Sequence, residues 1–281
     1  MTFLKKLGCV AAIALAAGSA QADTIMNDWF FNPAGTGKAN AQPINEYLDV
    51  NGNAFIQLTP TAGSGFSFTE HAVFNIVQAD SNGQLFPISY AGGNITATFE
   101  ATGTGNFSGA FTFASGTIRM YQNPTNGQYG GEAGIYGANL GNLIAEFSLL
   151  PGGGGLVDAS GSPINNGQVS IFAQAAAGAL DPNYFYASSG IDLSTVMTSA
   201  FASTNANTVG EPTSRLVNEV ACQYARFTGP GCNGTAYANT PGYFFVSNNG
   251  QFKFNDVPEP GSVALFGIAL FGIGAMRRRV K

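Results

Sequence analysis

One histidine and its acidic neighbour are the residues that most directly suggest acid/base chemistry. His71 is the sole histidine in 281 residues, and it directly follows Glu70. A carboxylate beside an imidazole could form half of an acid/base pair, and a serine could complete a nucleophilic triad. The chain has no Gly-x-Ser-x-Gly motif, and a single histidine is more often a hydrogen-bonded or surface residue. We therefore predict no catalytic residue, with paired carboxylates of a glycan-active enzyme as the alternative.

Calcium is the only cofactor that the sequence suggests. Asp49, Asn51 and Asn53 place oxygen atoms at alternate positions around Gly52, as in the first half of many Ca²⁺ loops, and Glu46 lies nearby. A weaker copy of the pattern occupies 80–84. Asx-Gly turns produce the same pattern without a metal, so an ordinary hairpin turn is the alternative to a calcium-dependent binding module.

The cysteines predict a disulfide. Cys222 and Cys232 are close enough in sequence to pair if the chain turns at Gly229-Pro230-Gly231, whereas Cys9 lies in the apolar N-terminal run. An oxidising location favours pairing, and a zinc site would need two further ligands nearby.

Three tyrosines suggest contact with sugars. Tyr121, Tyr129 and Tyr136 lie among Asn and Gln residues, and an aromatic face beside amide groups suits a pyranose ring. The alternative is that these residues only occupy strands and turns.

Charge excludes nucleic acid as a partner. Without the N-terminal and C-terminal segments described below, five basic and fifteen acidic residues remain. Phosphates would be repelled by such a body, whereas divalent cations or simple solubility are compatible with it.

The elements that must position these residues are predominantly β-strands. The chain is rich in Gly, Asn, Thr, Ser and Phe, and apolar residues alternate along several segments. These are Phe66 and Phe68; Ile95, Ala97, Phe99 and Ala101; Phe111 and Phe113; Ile118 and Met120; Val169, Ile171 and Ala173; Phe244 and Val246; Phe252 and Phe254. Hairpin turns are predicted at the Asn-Gly pairs 51–52, 82–83, 126–127, 166–167 and 249–250. We expect a mainly β fold, a sandwich or barrel-like body of short antiparallel strands.

Helices are predicted only at 192–202 and 211–225, where Asp192 and Thr213 or Ser214 could serve as caps. Gly152 to Gly155 suggest a domain boundary or a long surface loop. One body spanning 23–256 is preferred over two smaller domains.

The N-terminus has the pattern of a secretory signal. Lys5 and Lys6 precede an apolar run that ends before Ala20-Gln21-Ala22. Cleavage is expected after Ala22, which makes 1–22 a signal peptide.

The C-terminus, 257–281, predicts a transmembrane helix. Val257-Pro258-Glu259-Pro260 precede an apolar run, and Arg277-Arg278-Arg279 follow it. The prolines favour an extended segment accessible to a protease, and the basic tip favours the cytoplasm. A simple tail anchor is the alternative to a processed tail.

This combination resembles the PEP-CTERM proteins of Gram-negative bacteria, many of which produce exopolysaccharide. The resemblance implies that an exosortase recognises Pro258-Glu259-Pro260 and removes the tail. The protein would be anchored transiently in the inner membrane and then reach the cell surface or extracellular matrix.

Three further segments, 28–37, 46–52 and 66–70, are similar to the flocculation-associated PEP-CTERM subgroup. This resemblance implies a non-enzymatic protein that holds cells together with exopolysaccharide in flocs or biofilms. It implies no defined active site.

Overall fold

The computed structural model describes residues 25–81, 84–86, 94–123 and 129–255. Eight antiparallel strands form a closed barrel in the order β3, β4, β6, β7, β8, β10, β12 and β13, and pairing between β13 and β3 closes the ring. The strands are β3 (Tyr47–Pro60), β4 (Gly65–Ser81), β6 (Ile95–Asn106), β7 (Ala110–Gln122), β8 (Asn142–Leu149), β10 (Gln168–Ala175), β12 (Thr198–Thr208) and β13 (Tyr243–Phe254). The mainly β prediction is confirmed, and the architecture is the barrel rather than the sandwich.

Within the described ranges, five short strands lie outside the ring. The strands β1 (Trp29–Phe31), β2 (Gln42–Ile44) and β11 (Phe185–Tyr186) form a separate three-stranded sheet. The other two, β5 (Gln84–Phe86) and β9 (Gly152–Leu156), extend the main sheet. The small sheet packs against the end of β13. There the rings of Trp29 and Phe254 meet edge to face, with their centres 4.9 Å apart.

Alternating apolar residues fill the barrel. Along β13, Phe244, Val246 and Phe252 are buried, as predicted from their period of two. Most barrel strands are longer than expected, with 17 residues in β4 and 14 in β3. Long strands suit a barrel because strands must tilt to close the ring.

Two predicted hairpin turns are wrong. Asn51-Gly52 and Asn249-Gly250 lie inside β3 and β13, where Asn51 pairs directly with Asn249. Gly52 instead allows β3 and β4 to approach each other closely, since a Cβ there would overlap the carbonyl oxygen of Val73 on β4. The turn at Asn166-Gly167 is confirmed by positive φ at both residues. The turns predicted at 82–83 and 126–127 lie outside the described residues. Ser81 and Gln84, on either side of the first, are paired.

The glycine run is also a correction. Gly152 to Gly155 form most of β9, which pairs with β7 and β10 instead of forming a linker or loop. Gly154 has φ +109°, and a Cβ there would overlap the carbonyl oxygen of Phe111. The run therefore consists of glycine because two neighbouring strands approach it closely.

One of the two predicted helices is present. Thr213 caps α1 (Ser214–Leu216), accepting a hydrogen bond from the Leu216 amide at 3.2 Å, and the helix continues as a π-helical segment, Val217–Tyr224. The helix predicted at 192–202 is wrong, because only a single turn forms there. Asp192 caps a single 3₁₀ turn, Leu193–Thr195, and β12 then begins, because the residues from Thr198 onward alternate between inside and outside.

A second core lies on the outside of the barrel beneath this helix. Phe55, Val73 and Phe245 point outward from β3, β4 and β13 and pack against Leu216, Val217, Val220 and Ala221. The helix therefore covers one end of this outer surface and leaves the rest of it open.

Candidate functional site

The open part of that outer surface carries two rows of polar side chains. Each row crosses β12, β13, β3 and β4 through directly paired residues. The first row is Asn205, Asn249, Asn51 and Asn75; the second is Ser203, Gln251, Asp49 and Gln78. We call these eight residues the amide face.

Strand periodicity explains why these side chains share one surface. In β13, Asn248, Gly250 and Phe252 are buried, whereas Asn249 is exposed and Ser247 and Gln251 are partly exposed. Neighbouring strands are about 4.8 Å apart, and alternate residues on one strand are about 6.7 Å apart. The amide face is therefore a regular grid of hydrogen-bond donors and acceptors. All of its residues except Asn51 and Asn75 line a concavity of about 480 Å³.

An aromatic residue and an ion pair border this face. Tyr47 lies beside Asp49 on β3, and Lys253 pairs with Glu46 while its Nζ lies 5.5 Å from the centre of the Tyr47 ring. Burial, followed by the nearby carboxylates Asp80, Asp49 and Glu46, raises the pKa of Tyr47. The phenol therefore stays neutral and can donate a hydrogen bond.

The structure spreads the predicted calcium ligands along one strand. Asp49, Asn51 and Asn53 occupy alternate positions of the extended strand β3, with about 6.7 Å between successive Cα atoms, so the chain does not curl around an ion as a Ca²⁺ loop does. Asp49 Oδ2 accepts a hydrogen bond from Gln78 Nε2 at 3.0 Å, and Asn53 Nδ2 donates to Tyr129 Oη at 3.3 Å. The predicted loop geometry is wrong, and within the described ranges no three His, Cys, Asp or Glu side chains cluster as a metal site.

The three predicted tyrosines do not form an exposed sugar platform. Tyr129 and Tyr136 pack edge to face at 5.3 Å, and the Tyr129 hydroxyl also donates to the Val73 carbonyl at 3.2 Å. Burial raises the pKa of Tyr129. Tyr121 lies on β7 and is partly buried. These residues are mainly structural, and Tyr47 is the tyrosine beside the amide face.

Glu70 and His71 point to opposite sides of β4. Glu70 lines the interior of the barrel, whereas His71 packs outside against Tyr224, with ring centres 4.9 Å apart. Burial lowers the pKa of His71, and the nearby Glu100 partly opposes this effect. Since adjacent strand residues face opposite ways, the two side chains cannot act as one acid/base pair.

The predicted disulfide is present. Cys222 and Cys232 are bonded, with Cα atoms 5.5 Å apart, and the Cys232 amide donates to the Gly229 carbonyl at 3.0 Å. The bond ties the end of the helical segment to the turn that follows it.

Sequence analysis missed six of the eight residues on the amide face. Only Asp49 and Asn51 were predicted to bind a ligand, and that ligand was calcium; Asn249 was predicted only as part of a hairpin turn. The signal that could have found the others is polar alternation, visible in Ser247, Asn249, Gln251 and in Ser203, Asn205. Their assembly into rows depends on strand register, which the local pattern does not contain.

The processing signals lie outside the described residues, including Ala20, Ala22, Val257, Pro258, Glu259, Pro260, Arg277, Arg278 and Arg279. The predicted transmembrane helix lies there too. Among the residues that are described, no helix is both long and apolar enough to cross a membrane.

Comparison with known proteins identifies the tail. Residues 256–279 match the PEP-CTERM protein-sorting motif, which confirms the predicted family of the tail and indicates an exported protein processed by an exosortase-type enzyme. No curated protein matches the chain. No solved structure matches it either.

Proposed function

We propose that this exported PEP-CTERM protein acts at the cell surface or in the extracellular matrix, where it binds exopolysaccharide and promotes cell aggregation in flocs or biofilms. The role is non-enzymatic and needs no cofactor. After exosortase processing, the barrel presents its amide face to the polymer.

The amide face is the observation that carries this proposal. An amide side chain offers two donors and an acceptor, so neighbouring Asn residues such as Asn51 and Asn249 suit the vicinal hydroxyls of a sugar. Asp49 is paired with Gln78, and Lys253 at the border is paired with Glu46. Asp49 is the one charged residue of the amide face, and the other seven are neutral hydrogen-bonding groups. Such a concave surface favours a hydroxyl-rich polymer with low charge.

A carboxylate-dependent glycan hydrolase is less well supported. On the outer surface of β6, β7 and β8, Glu100 and Glu146 both bind Arg119, at 3.0 and 2.6 Å. In a glycosidase the two carboxyl groups flank the scissile bond, whereas here both are bound to the same guanidinium.

Deletion and complementation in the producing bacterium test this function. We expect the deletion strain to lose aggregation, the wild-type gene to restore it, and a gene with Asn51→Ala, Asn205→Ala and Asn249→Ala to fail at equal surface abundance. Thr104→Ala with Thr112→Ala alters an exposed pair elsewhere on the barrel and provides the matched control. Normal aggregation of the deletion strain would refute the proposed role.

A further inference from the structure

A carboxyl group lies inside the barrel. Glu70 shares the inner side of β4 with Phe66 and Phe68, and its paired residues on the adjacent strands are Ile56 and Ala101. It lines an interior cavity together with apolar residues from the opposite wall, such as Val169 and Ile171. Burying a charged carboxylate among apolar residues is costly unless an opposite charge or a hydrogen-bond donor lies beside it.

The described residues provide no such partner. Among the described residues that line the cavity, Glu70 is the only ionisable one, and Thr204 and Asn248 are its main polar companions. The carboxyl has no hydrogen bond or ion pair to the described part of the chain. Burial raises its pKa to about 7. Replacing Glu70 with an apolar residue would remove this cost of desolvation, so its presence points to binding rather than stability.

The size of the cavity limits what can enter. Its free space is about 40 Å³, enough for roughly three waters. A neighbouring void of about 40 Å³ shares Phe74, Phe99, Ile171 and Thr204 with it, so the two voids are adjacent inside the barrel. A short chain of a few carbons fits this space better than a fatty acid or a sugar does.

One rim of the cavity is a preorganised loop. Val157, Gly161 and Pro163 line the cavity, and Asp158 holds this loop by accepting hydrogen bonds from the amides of Ser160 and Ser162 at 2.8 and 3.0 Å. The hydrogen bond from the Ser160 hydroxyl, followed by these amide bonds, lowers the pKa of Asp158. The rim therefore has a fixed shape where a ligand would pass.

We propose that the barrel interior binds a short-chain primary ammonium compound, with its cationic nitrogen on the Glu70 carboxylate and its alkyl chain against the apolar walls. The cation supplies the opposite charge that the cavity lacks, and the chain fills space that is otherwise empty. A neutral alcohol offers only a hydrogen bond, and an alkyl carboxylate brings a second negative charge. The site is inside the barrel and separate from the amide face.

Binding of n-butylammonium to the purified exported protein, which contains the whole body 23–256, tests this inference. The matched probes are n-butanol and butyrate. We expect n-butylammonium alone to bind by calorimetry, and more tightly at pH 8 than at pH 6, because Glu70 is then ionised. Glu70→Gln should weaken binding by about tenfold or more. Glu211→Gln, at an exposed glutamate, should leave it unchanged.

A carboxyl ¹³C titration of Glu70 provides a second measurement that does not depend on a variant. Bound n-butylammonium should lower the pKa of Glu70, because a neighbouring cation favours the carboxylate. Equal binding to Glu70→Gln, equal binding of n-butanol, or absence of n-butylammonium binding at pH 8 would each overturn the proposal. Removal of the exposed asparagines should not affect this site, which separates it from the proposed aggregation function.

Discussion

Asn51 and Asn249 are direct partners on β3 and β13, and both side chains are exposed on the outer surface of the barrel. Their neighbours Asn205 and Asn75 extend the pair into a row across four strands. This row gives the proposed polymer contact a defined location.

The disulfide is expected to stabilise the helical region more than the barrel. Replacing Cys222 and Cys232 together with Ser should lower the free energy of unfolding by about 2–3 kcal/mol, because a short closed loop is released in the unfolded chain. Hydrogen exchange should accelerate in Val217–Tyr224 and remain slow in β3 and β13. Urea unfolding and exchange mass spectrometry measure the two effects. Equal acceleration across the barrel would contradict this local role.

Stability should depend on the ionisation of Glu70. Its pKa is about 7 in the folded protein and about 4.5 in the unfolded chain, so the folded state holds this proton to higher pH. This group therefore lowers stability as pH rises from about 4.5 to 7, by about 3 kcal/mol, and the loss levels off above pH 7.

Thermal unfolding of wild type and Glu70→Gln at pH 5 to 8 measures this contribution. The variant should gain stability relative to wild type as pH rises, while Glu211→Gln should follow wild type. A constant difference between wild type and Glu70→Gln across this range would show that Glu70 has an ordinary pKa.

Gly52 is expected to tolerate no larger residue. In Gly52→Val the side chain would overlap the Val73 carbonyl and the Phe74 ring, forcing β3 and β4 apart. We expect a loss of about 3 kcal/mol or more. Asn51→Val, at the adjacent exposed position, should change stability little. Equal urea midpoints for the two variants would contradict the close approach.

The sorting motif should control the final form of the chain. Replacing Pro258, Glu259 and Pro260 with Ala should leave the tail attached and the protein in the membrane fraction, because an exosortase-type enzyme no longer recognises it. Intact mass and cell fractionation measure this result. A tail removed normally from the variant would show that these three residues are not required.

The periodic apolar residues predict much of the barrel from sequence. Ile95, Ala97 and Phe99 lie along β6, and Phe252 and Phe254 lie along β13, because strands bury alternate residues whatever their partners are. Closure into a barrel depends on pairing between distant strands, such as Ala173 of β10 with Ala200 of β12. No local pattern contains this information.

Local turn preference misled the prediction at Asn51-Gly52 and Asn249-Gly250. Both dipeptides favour hairpin turns, but here each asparagine faces solvent and each glycine faces a neighbouring strand. Pairing along whole strands stabilises the extended form more than a turn would. Because β3 stays extended, the predicted calcium ligands lie apart along the strand, and strand pairing places Asp49 and Asn51 in the amide face.

The most direct test of the central claim is cosedimentation of the purified body with exopolysaccharide isolated from the producing bacterium. Wild type and the Thr104→Ala, Thr112→Ala control should bind equally, whereas Asn51→Ala with Asn249→Ala should bind about tenfold more weakly at an unchanged Tm. Equal binding by all three proteins, or no binding by wild type, would contradict the account.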